Sequence, residues 1–392
     1  MLRYQSHMMR TKNIASHSLV LLIILAFIYV TFGHQILFHN KTLSSIPGNP
    51  WLDNAVVDLW EAPTAKIVSS MLSDFELPLW NKSIGIGVPL FSDPVNSLFS
   101  PFKFIVYAFP NAFGWDIVTL LRLFLLIFFS YLLFFHLGIN RWISVFAAIL
   151  LGFSGHVFYF LNLVLMNSLV FTPLVLLGIL AGCEKKYRLS LWSLSIGISL
   201  MILGGVFVDF LLTTIYGFFI ILVYLIMNLF QRAGAKEYLT ILKIGLYVLI
   251  GILISSIYLI PYLEARTVAI PLLQTGRSTA VFNSFWYFLG LFFQNLCVTP
   301  ANKSHYYMNF RQYLHLICIP GFFFALISLF VKDQKYKYFI LGSLLFFLFY
   351  FFKLYDFKFI QFINNIPLLQ DIRFEKYQGN FNLTFYLLSA VG

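Results

Sequence analysis

Three carboxylates stand close together early in the chain, at Asp53, Asp58 and Glu61. A carboxylate at a membrane surface can act as a general base on an acceptor hydroxyl, or it can hold a divalent metal ion against a phosphate. Asp58 followed three residues later by Glu61 also matches a capping box, in which the two side chains only satisfy the first turn of a helix. The spacing therefore leaves a catalytic and a capping interpretation open.

A run rich in turn-forming residues follows these carboxylates. It contains Pro78, Trp80, Asn81, Asp93 and Asn96. The glycines and prolines of this run fix a particular path of the backbone, and a tryptophan suits the interface between membrane and water. The pattern predicts either one wall of an active site or a plain lid.

Three arginines could bind a phosphate group. Arg122 enters an apolar segment from its outer end, and Arg266 and Arg277 belong to the second long loop. The planar guanidinium group matches the oxygens of a phosphate; the alternative is that these side chains extend to lipid headgroups. Asp209 lies between two apolar segments, and we expect it to be exposed at a hairpin tip because a buried acid is costly in a membrane.

The elements that must position these residues are membrane-spanning helices. Of the 392 residues, 60% are hydrophobic and only 10% are charged, whereas a soluble domain carries about 25% charged residues. A bilayer core about 30 Å thick requires about 20 apolar residues in a helix. The apolar segments predict spans at 19–38, 118–137, 142–160, 163–182, 189–207, 209–230, 241–262, 313–331 and 338–352.

Residues 380–392 begin one more apolar run, which is too short to cross and predicts a tenth span that is cut off. The predicted fold is therefore all-α, a polytopic integral membrane protein with nine to ten transmembrane helices. Spans two to seven occupy 118–262, and spans eight and nine occupy 313–352.

Charge sets the predicted orientation. With residues 1–18 in the cytoplasm, the inward segments carry 13 basic and three acidic residues, a net charge of +10, and the outward side carries +1. This asymmetry obeys the positive-inside rule and explains the net charge of +11 without a nucleic-acid partner. Three loops then face outward: 39–117, called the first loop below, 263–312 and 353–379.

The first loop is predicted to contain an amphipathic helix between residues 58 and 75. Apolar residues from Leu59 to Leu72 recur on one stripe at helical spacing. Pro63 sets the start near residue 60, because proline is tolerated only in the first turn of a helix. Such a helix would lie flat on the outer membrane surface.

Several segments resemble a known family in the order in which they occur. The most specific of them are Leu77–Asn81, Gly87–Leu90, and Asn96 with Ser97 and Pro101. They resemble a stretch of the bacterial YfhO-like membrane proteins, a family related to the GT-C glycosyltransferases. Weaker matches follow at Gly152–Gly155, at Pro261–Glu264 with Arg277, and at Ile372–Phe374.

The resemblance covers roughly residues 50–392, with three departures from the family pattern. Asp74 replaces a usual glycine, Lys82 a usual proline and Asn96 a common glutamine. Members of the family are usually much longer than this chain.

The resemblance implies a GT-C-like fold that transfers a sugar from a polyprenyl-phosphate donor to a glycan or lipid acceptor of the cell envelope. The reaction would take place on the outer side of a bacterial plasma membrane. GT-C enzymes carry a catalytic aspartate early in the first outer loop, just ahead of a juxtamembrane helix. Asp58 matches that position best and Asp53 second, with the arginines on the donor phosphate and a divalent metal ion left open.

Two other functions fit the sequence. One is a flippase or transporter of lipids or lipid-linked sugars, which would expose polar groups along its spans. The predicted spans carry almost no charge between their ends, which argues against ion-coupled transport. The other is a truncated or non-catalytic membrane assembly protein.

Overall fold

The structure is a computed structural model that describes residues 17–33, 57–84, 87–230, 235–268, 336–354 and 379–392. Regular structure in these ranges is helical apart from one antiparallel ribbon, β1 (Trp80–Asn81) and β2 (Val88–Pro89). The helices are α1 (His17–Gly33), α2 (Ala62–Ser73), α3 (Pro101–Ala108), α4 (Ala112–His136), α5 (Arg141–Gly152), α6 (Gly155–Phe160), α7 (Leu165–Leu169), α8 (Thr172–Cys183), α9 (Tyr187–Leu203), α10 (Phe207–Phe230), α11 (Ala235–Ile254), α12 (Ser256–Val268), α13 (Lys337–Leu354) and α14 (Gly379–Val391).

Four helical segments of the described chain are long and apolar enough to cross a membrane. They are Ala112–His136, Leu165–Cys183, Phe207–Phe230 and Glu237–Ile254, the second of which comprises α7 and α8. Helices α1, α5 and α9 are apolar but shorter. The chain is therefore an all-α polytopic membrane protein by the length and composition of its helices. The predicted span 313–331 lies outside the described residues.

The two predicted spans 142–160 and 163–182 are not continuous helices. The first is divided into α5 and α6, and the second into α7 and α8. Pro173 lies in the first turn of α8. Proline has no backbone N–H and suits the start of a helix better than its interior. The chain between α5 and α8 consequently contains two short helices, α6 and α7, called the interrupted segment below.

Helix α8 lies at the centre of the described helices, in contact with α4, α9, α10 and α11. Glycines allow its close approach to α9. A Cβ atom at Gly178 would lie 2.7 Å from Cγ of Leu194, and one at Gly197 would lie 2.8 Å from Cγ2 of Val175. Small residues at such contacts are the usual means by which membrane helices pack, because lipid supplies no hydrophobic force between them.

The predicted amphipathic helix of the first loop is present as α2, preceded by a π-helical turn at Val57–Glu61. Val68 is fully buried, whereas Leu72, predicted on the same stripe, is 42% exposed. The Ser69 hydroxyl donates to the Tyr107 carbonyl at 2.7 Å. One face of α2 therefore packs on α3, while Leu72, at the end of the predicted apolar stripe, is not covered by the described residues.

Charged residues join several helix ends at the far end of α4. Oε2 of Glu184 lies 2.8 Å from Nε2 of His136 and 2.7 Å from Nζ of Lys186. Nζ of Lys185 lies 2.7 Å from Oε1 of Glu237. These contacts tie the ends of α4 and α8 to the start of α11, among residues that the charge pattern assigns to the inward side.

Candidate functional site

Glu61 and Lys103 form a buried ion pair between the π-helical turn and α3. Nζ of Lys103 lies 2.5 Å from Oε2 of Glu61, and the two side chains are 2% and 0% exposed, respectively. The ammonium group also lies 4.6 Å from the ring centroid of Trp115, near the start of α4. An aromatic face stabilises a cation at this distance. Because loss of either partner would leave an uncompensated buried charge, the pair holds these three elements together.

Burial also acts on the ionisation of the pair. Removal from water lowers the pKa of Lys103 below its ordinary value, and the Glu61 carboxylate opposes this shift by attracting the charge. Arg122 contributes a smaller repulsion that lowers the pKa further. Lys103 therefore keeps its charge through its contact with Glu61. This dependence favours a structural role for the pair over a role as a free acid or base.

The gap between α6 and α7 leaves backbone groups without helical partners. Nη1 of Arg122, on α4, donates to the carbonyls of Leu161 and Asn162 at 3.3 and 2.8 Å. Oε1 of Glu61 accepts the backbone N–H of Val164 at 3.3 Å. A cation thus binds the carbonyls that follow α6, and an anion binds the amide that precedes α7, so each charge matches the dipole of its partner.

Arg122 is fully buried, contrary to the predicted position on a donor phosphate at the membrane surface. Its Nε donates to Oδ1 of Asn167 at 2.9 Å, and its guanidinium lies 5.6 Å from the ring centroid of Phe102. Among the described residues, Nη2 has no acceptor. Because the other two nitrogens bind the protein itself, Arg122 is a structural cation of the interrupted segment in this conformation.

Glu61, Lys103 and Arg122 are called the charge cluster below. Asp93 and Asn96, predicted as part of a wall, close a tight turn beside this cluster. The Asp93 carboxylate accepts the backbone N–H of Val95 at 2.9 Å and Nδ2 of Asn96 at 2.7 Å. Ser97 follows with a φ of 40°, and its hydroxyl accepts Nδ2 of Asn167 at 3.1 Å. The same Asn167 amide accepts from the guanidinium described above, so the turn is connected to the charge cluster.

Asp93 is the half-buried acid of this region. Burial raises the pKa of Asp93, whereas hydrogen bonds from the backbone of Val95 and Asn96, a hydrogen bond from Trp60 and the charge of Lys103 lower it by less. A partly exposed carboxyl group with a raised pKa is a candidate proton acceptor.

Trp80 and Asn81 form β1 of the ribbon, and Pro78 lies two residues before Trp80. Among the described residues, no hydrogen bond joins these side chains to the charge cluster. Trp80 is 45% exposed. It lies over Gly87, which has a φ of 100° and where a Cβ atom would be 1.9 Å from the indole nitrogen. Asn81 is buried and accepts the backbone N–H of Ser83 at 2.9 Å. The predicted wall is thus two separate pieces, the ribbon and the Asp93 turn.

Four other predicted site residues have no described side chain. Asp53 and Arg277 lie outside the described residues. Asp58 belongs to the π-helical turn and Arg266 to α12, but their side chains lie outside the part of the chain that the structure describes. The proposed roles of these four residues remain predictions.

The capping interpretation of Glu61 is wrong. Glu61 immediately precedes α2 and makes no side-chain capping hydrogen bond. Both carboxylate oxygens are instead engaged, one by Lys103 and the other by the amide of Val164. Tertiary contacts explain why Glu61 does not cap the helix. The buried ammonium group of Lys103 attracts the carboxylate more strongly than an exposed helix end does.

The described residues contain no group of three or more histidine, cysteine, aspartate or glutamate side chains able to hold a metal ion. Glu61 is already committed to protein partners, so it is a poor metal ligand here. A divalent ion at Asp58 or Asp53 stays a prediction that rests on the family resemblance.

The sequence analysis did not identify Lys103 and Asn167 as residues of the site. It also predicted an exposed Asp209, and this prediction is wrong because the residue is 3% exposed. The signal for Lys103 was its place in the otherwise apolar run of α3, where a lysine needs an anionic partner. Asn167 gave a weaker signal, a single amide within an apolar segment.

No protein-family model matches the chain, and comparisons with curated proteins and with solved structures find no match either. The fold and the site therefore define its class: an all-α polytopic membrane protein in which a buried charge cluster joins the first loop to an interrupted segment.

Proposed function

We propose that the chain transfers a sugar from a polyprenyl-phosphate donor to a cell-envelope glycan or lipid, at the outer face of a bacterial plasma membrane. The observation that carries the proposal is the position of Asp58. It lies in a π-helical turn whose last residue, Glu61, is fixed by Lys103 and Val164. Single π-helical turns occur frequently at functional sites, and the family resemblance assigns the catalytic aspartate to this position.

In the proposed reaction the Asp58 carboxylate accepts the proton of an acceptor hydroxyl as that oxygen attacks the anomeric carbon of the sugar. The bond between the anomeric carbon and the phosphate oxygen breaks, and polyprenyl phosphate leaves with the electron pair. Arg266 and Arg277 are the candidates to neutralise the charge of the leaving phosphate. A cytoplasmic N-terminus, nine to ten spans and an outward first loop belong to the same proposal.

The experiment is sugar transfer by the full chain in proteoliposomes, with a labelled polyprenyl-phosphate sugar and an envelope acceptor. A general base contributes about 10²–10⁴-fold to the rate, so Asp58→Asn should reduce transfer by at least about 100-fold. Asp74→Asn is the matched control, because Asp74 is an exposed acid of the same loop. Equal transfer by the wild type and a folded Asp58→Asn variant would contradict the proposal.

A flippase or transporter of lipid-linked sugars is the second candidate, and one observation favours it. The described spans contain buried polar side chains, including Arg122, Asn167 and Asp209, although the sequence predicted spans almost free of charge. Polar groups inside spans mark substrate or ion pathways. Movement of a labelled lipid-linked sugar across proteoliposomes without any transfer product would support this function over the first.

A further inference from the structure

Asp209 is a buried acid in the first turn of α10, one of the four helices able to cross a membrane. Its side chain is 3% exposed, and among the described residues it takes part in no hydrogen bond or ion pair. An ionised carboxylate in such a place is very unfavourable without a compensating charge. The position therefore requires either a proton or a cation.

The turn that precedes α10 is packed against the first loop. Gly205 has a φ of 89°, and a Cβ atom there would lie 2.2 Å from the Pro94 carbonyl oxygen and 2.7 Å from Cβ of Ser97. The turn is thus packed directly against the Asp93 turn of the first loop. Asp209 was expected at an exposed hairpin tip, but its side chain is 3% exposed and the turn four residues before it is packed against the first loop.

Three oxygen atoms converge one helical turn further along α10. Oγ1 of Thr213 lies 3.1 Å from Oγ1 of Thr172 and 3.3 Å from Oδ1 of Asn380, and all three side chains are fully buried. Nδ2 of Asn380 has no acceptor among the described residues. The two hydroxyl protons cannot satisfy every lone pair of three clustered oxygens.

Asp209 and Thr213 lie on the same face of α10. Residues four apart on a helix are neighbours, with Cβ atoms about 5–6 Å apart. Asp209 thus lies one helical turn from the three clustered oxygens along α10, which contacts α8 and α14. These four side chains are called the polar patch below. All of its potential ligands are oxygen atoms, which hard cations prefer.

We infer that this patch is a binding site for a monovalent cation, with the Asp209 carboxylate supplying the charge and Thr213, Thr172 and Asn380 supplying neutral oxygens. One carboxylate balances one positive charge. A divalent ion would need further anionic ligands, and the described residues provide no cluster of three such groups. The inference does not depend on the proposed sugar transfer.

The test is the thermal stability of the purified full chain in detergent, in sodium chloride, potassium chloride or choline chloride at equal ionic strength. A ligand that binds only the folded state raises the unfolding temperature. At ten times its dissociation constant, we expect sodium or potassium to raise it by on the order of 3 °C over choline.

Asp209→Asn should abolish the difference between the alkali cation and choline. If that variant does not fold, Thr213→Val provides the test, because it removes one oxygen with little change of shape. Thr214→Val is the matched control, since the Thr214 hydroxyl faces away and donates to the Phe210 carbonyl of its own helix at 2.8 Å. The control should keep the full difference.

Three results would overturn the inference. The wild type could melt at the same temperature in all three salts, or Thr213→Val could keep the full cation effect. A stability that depends on pH but not on the cation would show that Asp209 is simply a protonated buried acid.

Discussion

At the scale of single residues, Asp93 shows how the environment sets a property that a sequence does not display. Its carboxylate sits in a turn formed with Val95 and Asn96, where burial outweighs the hydrogen bonds. The native state therefore holds the Asp93 proton to a higher pH than the unfolded chain does. Proton binding to Asp93 is consequently coupled to the stability of the turn.

The sign of this coupling gives a prediction. A raised native pKa means that the contribution of Asp93 to stability is complete below the unfolded value of 3.8 and is lost as the pH rises through the higher native value. Asp93→Asn removes the titration, so the unfolding temperature of the variant minus that of the wild type should increase with pH across this window. A series of thermal melts in detergent measures it, and parallel curves for the two proteins would contradict the assignment.

Residue types alone identified several polar residues of the site, but they did not show which side chains contact each other. Glu61, Arg122, Asp93 and Asn96 were all recognisable as polar residues in informative places. Their partners were not, because Lys103 is 42 residues distant from Glu61 and Asn167 is 45 residues distant from Arg122. Such contacts depend on how the helices pack, and a local pattern carries no information about it.

At the scale of elements, the interrupted segment is the feature that organises the site. Its two short helices, α6 and α7, expose backbone carbonyls and amides that lipid cannot satisfy. Arg122 and Glu61 bind these groups from α4 and from the first loop. The hydropathy pattern predicted continuous spans at 142–160 and 163–182, and it missed the breaks at 153–154 and 170–171 because the residues around them are mostly apolar.

Arg122→Gln should therefore destabilise the protein strongly. The shorter, neutral amide cannot reach both carbonyls and Asn167, and the loss of these hydrogen bonds from a charged donor should cost on the order of 3 kcal/mol. The measurement is the thermal midpoint in detergent. Arg188→Gln is the matched control, because Arg188 is an exposed arginine at the start of α9. Equal midpoints for the two variants would show that Arg122 does not support the interrupted segment.

At the scale of the whole molecule, composition alone predicted an all-α membrane protein, and four helical segments of suitable length and apolarity agree with it. The position of the first loop was not predictable in the same way. The position of α2 flat on the membrane surface stays a prediction, but the sequence did not reveal that one face of α2 packs on α3 or that the turn before it is bound to the helices through Glu61. The amphipathic pattern shows which face is apolar, but it does not distinguish lipid from protein as the partner of that face.

The Glu61–Lys103 pair holds the turn before α2 to α3 within the first loop and leaves the second Glu61 oxygen on the amide of Val164, between α6 and α7. Exchange of the two charges tests whether this pair anchors the loop. Glu61→Lys or Lys103→Glu alone places two like charges in a buried site, and each should cost about 3–5 kcal/mol or more. The double exchange restores an ion pair and should recover much of that loss.

The readout is the fraction of monodisperse protein after extraction, together with the protease resistance of α2. Lys82→Glu serves as the control, because Lys82 is exposed in the turn after β1. We expect both single variants to fail, and the double variant and the control to survive. Single variants that behave like the wild type, or a double variant no better than the singles, would contradict the account.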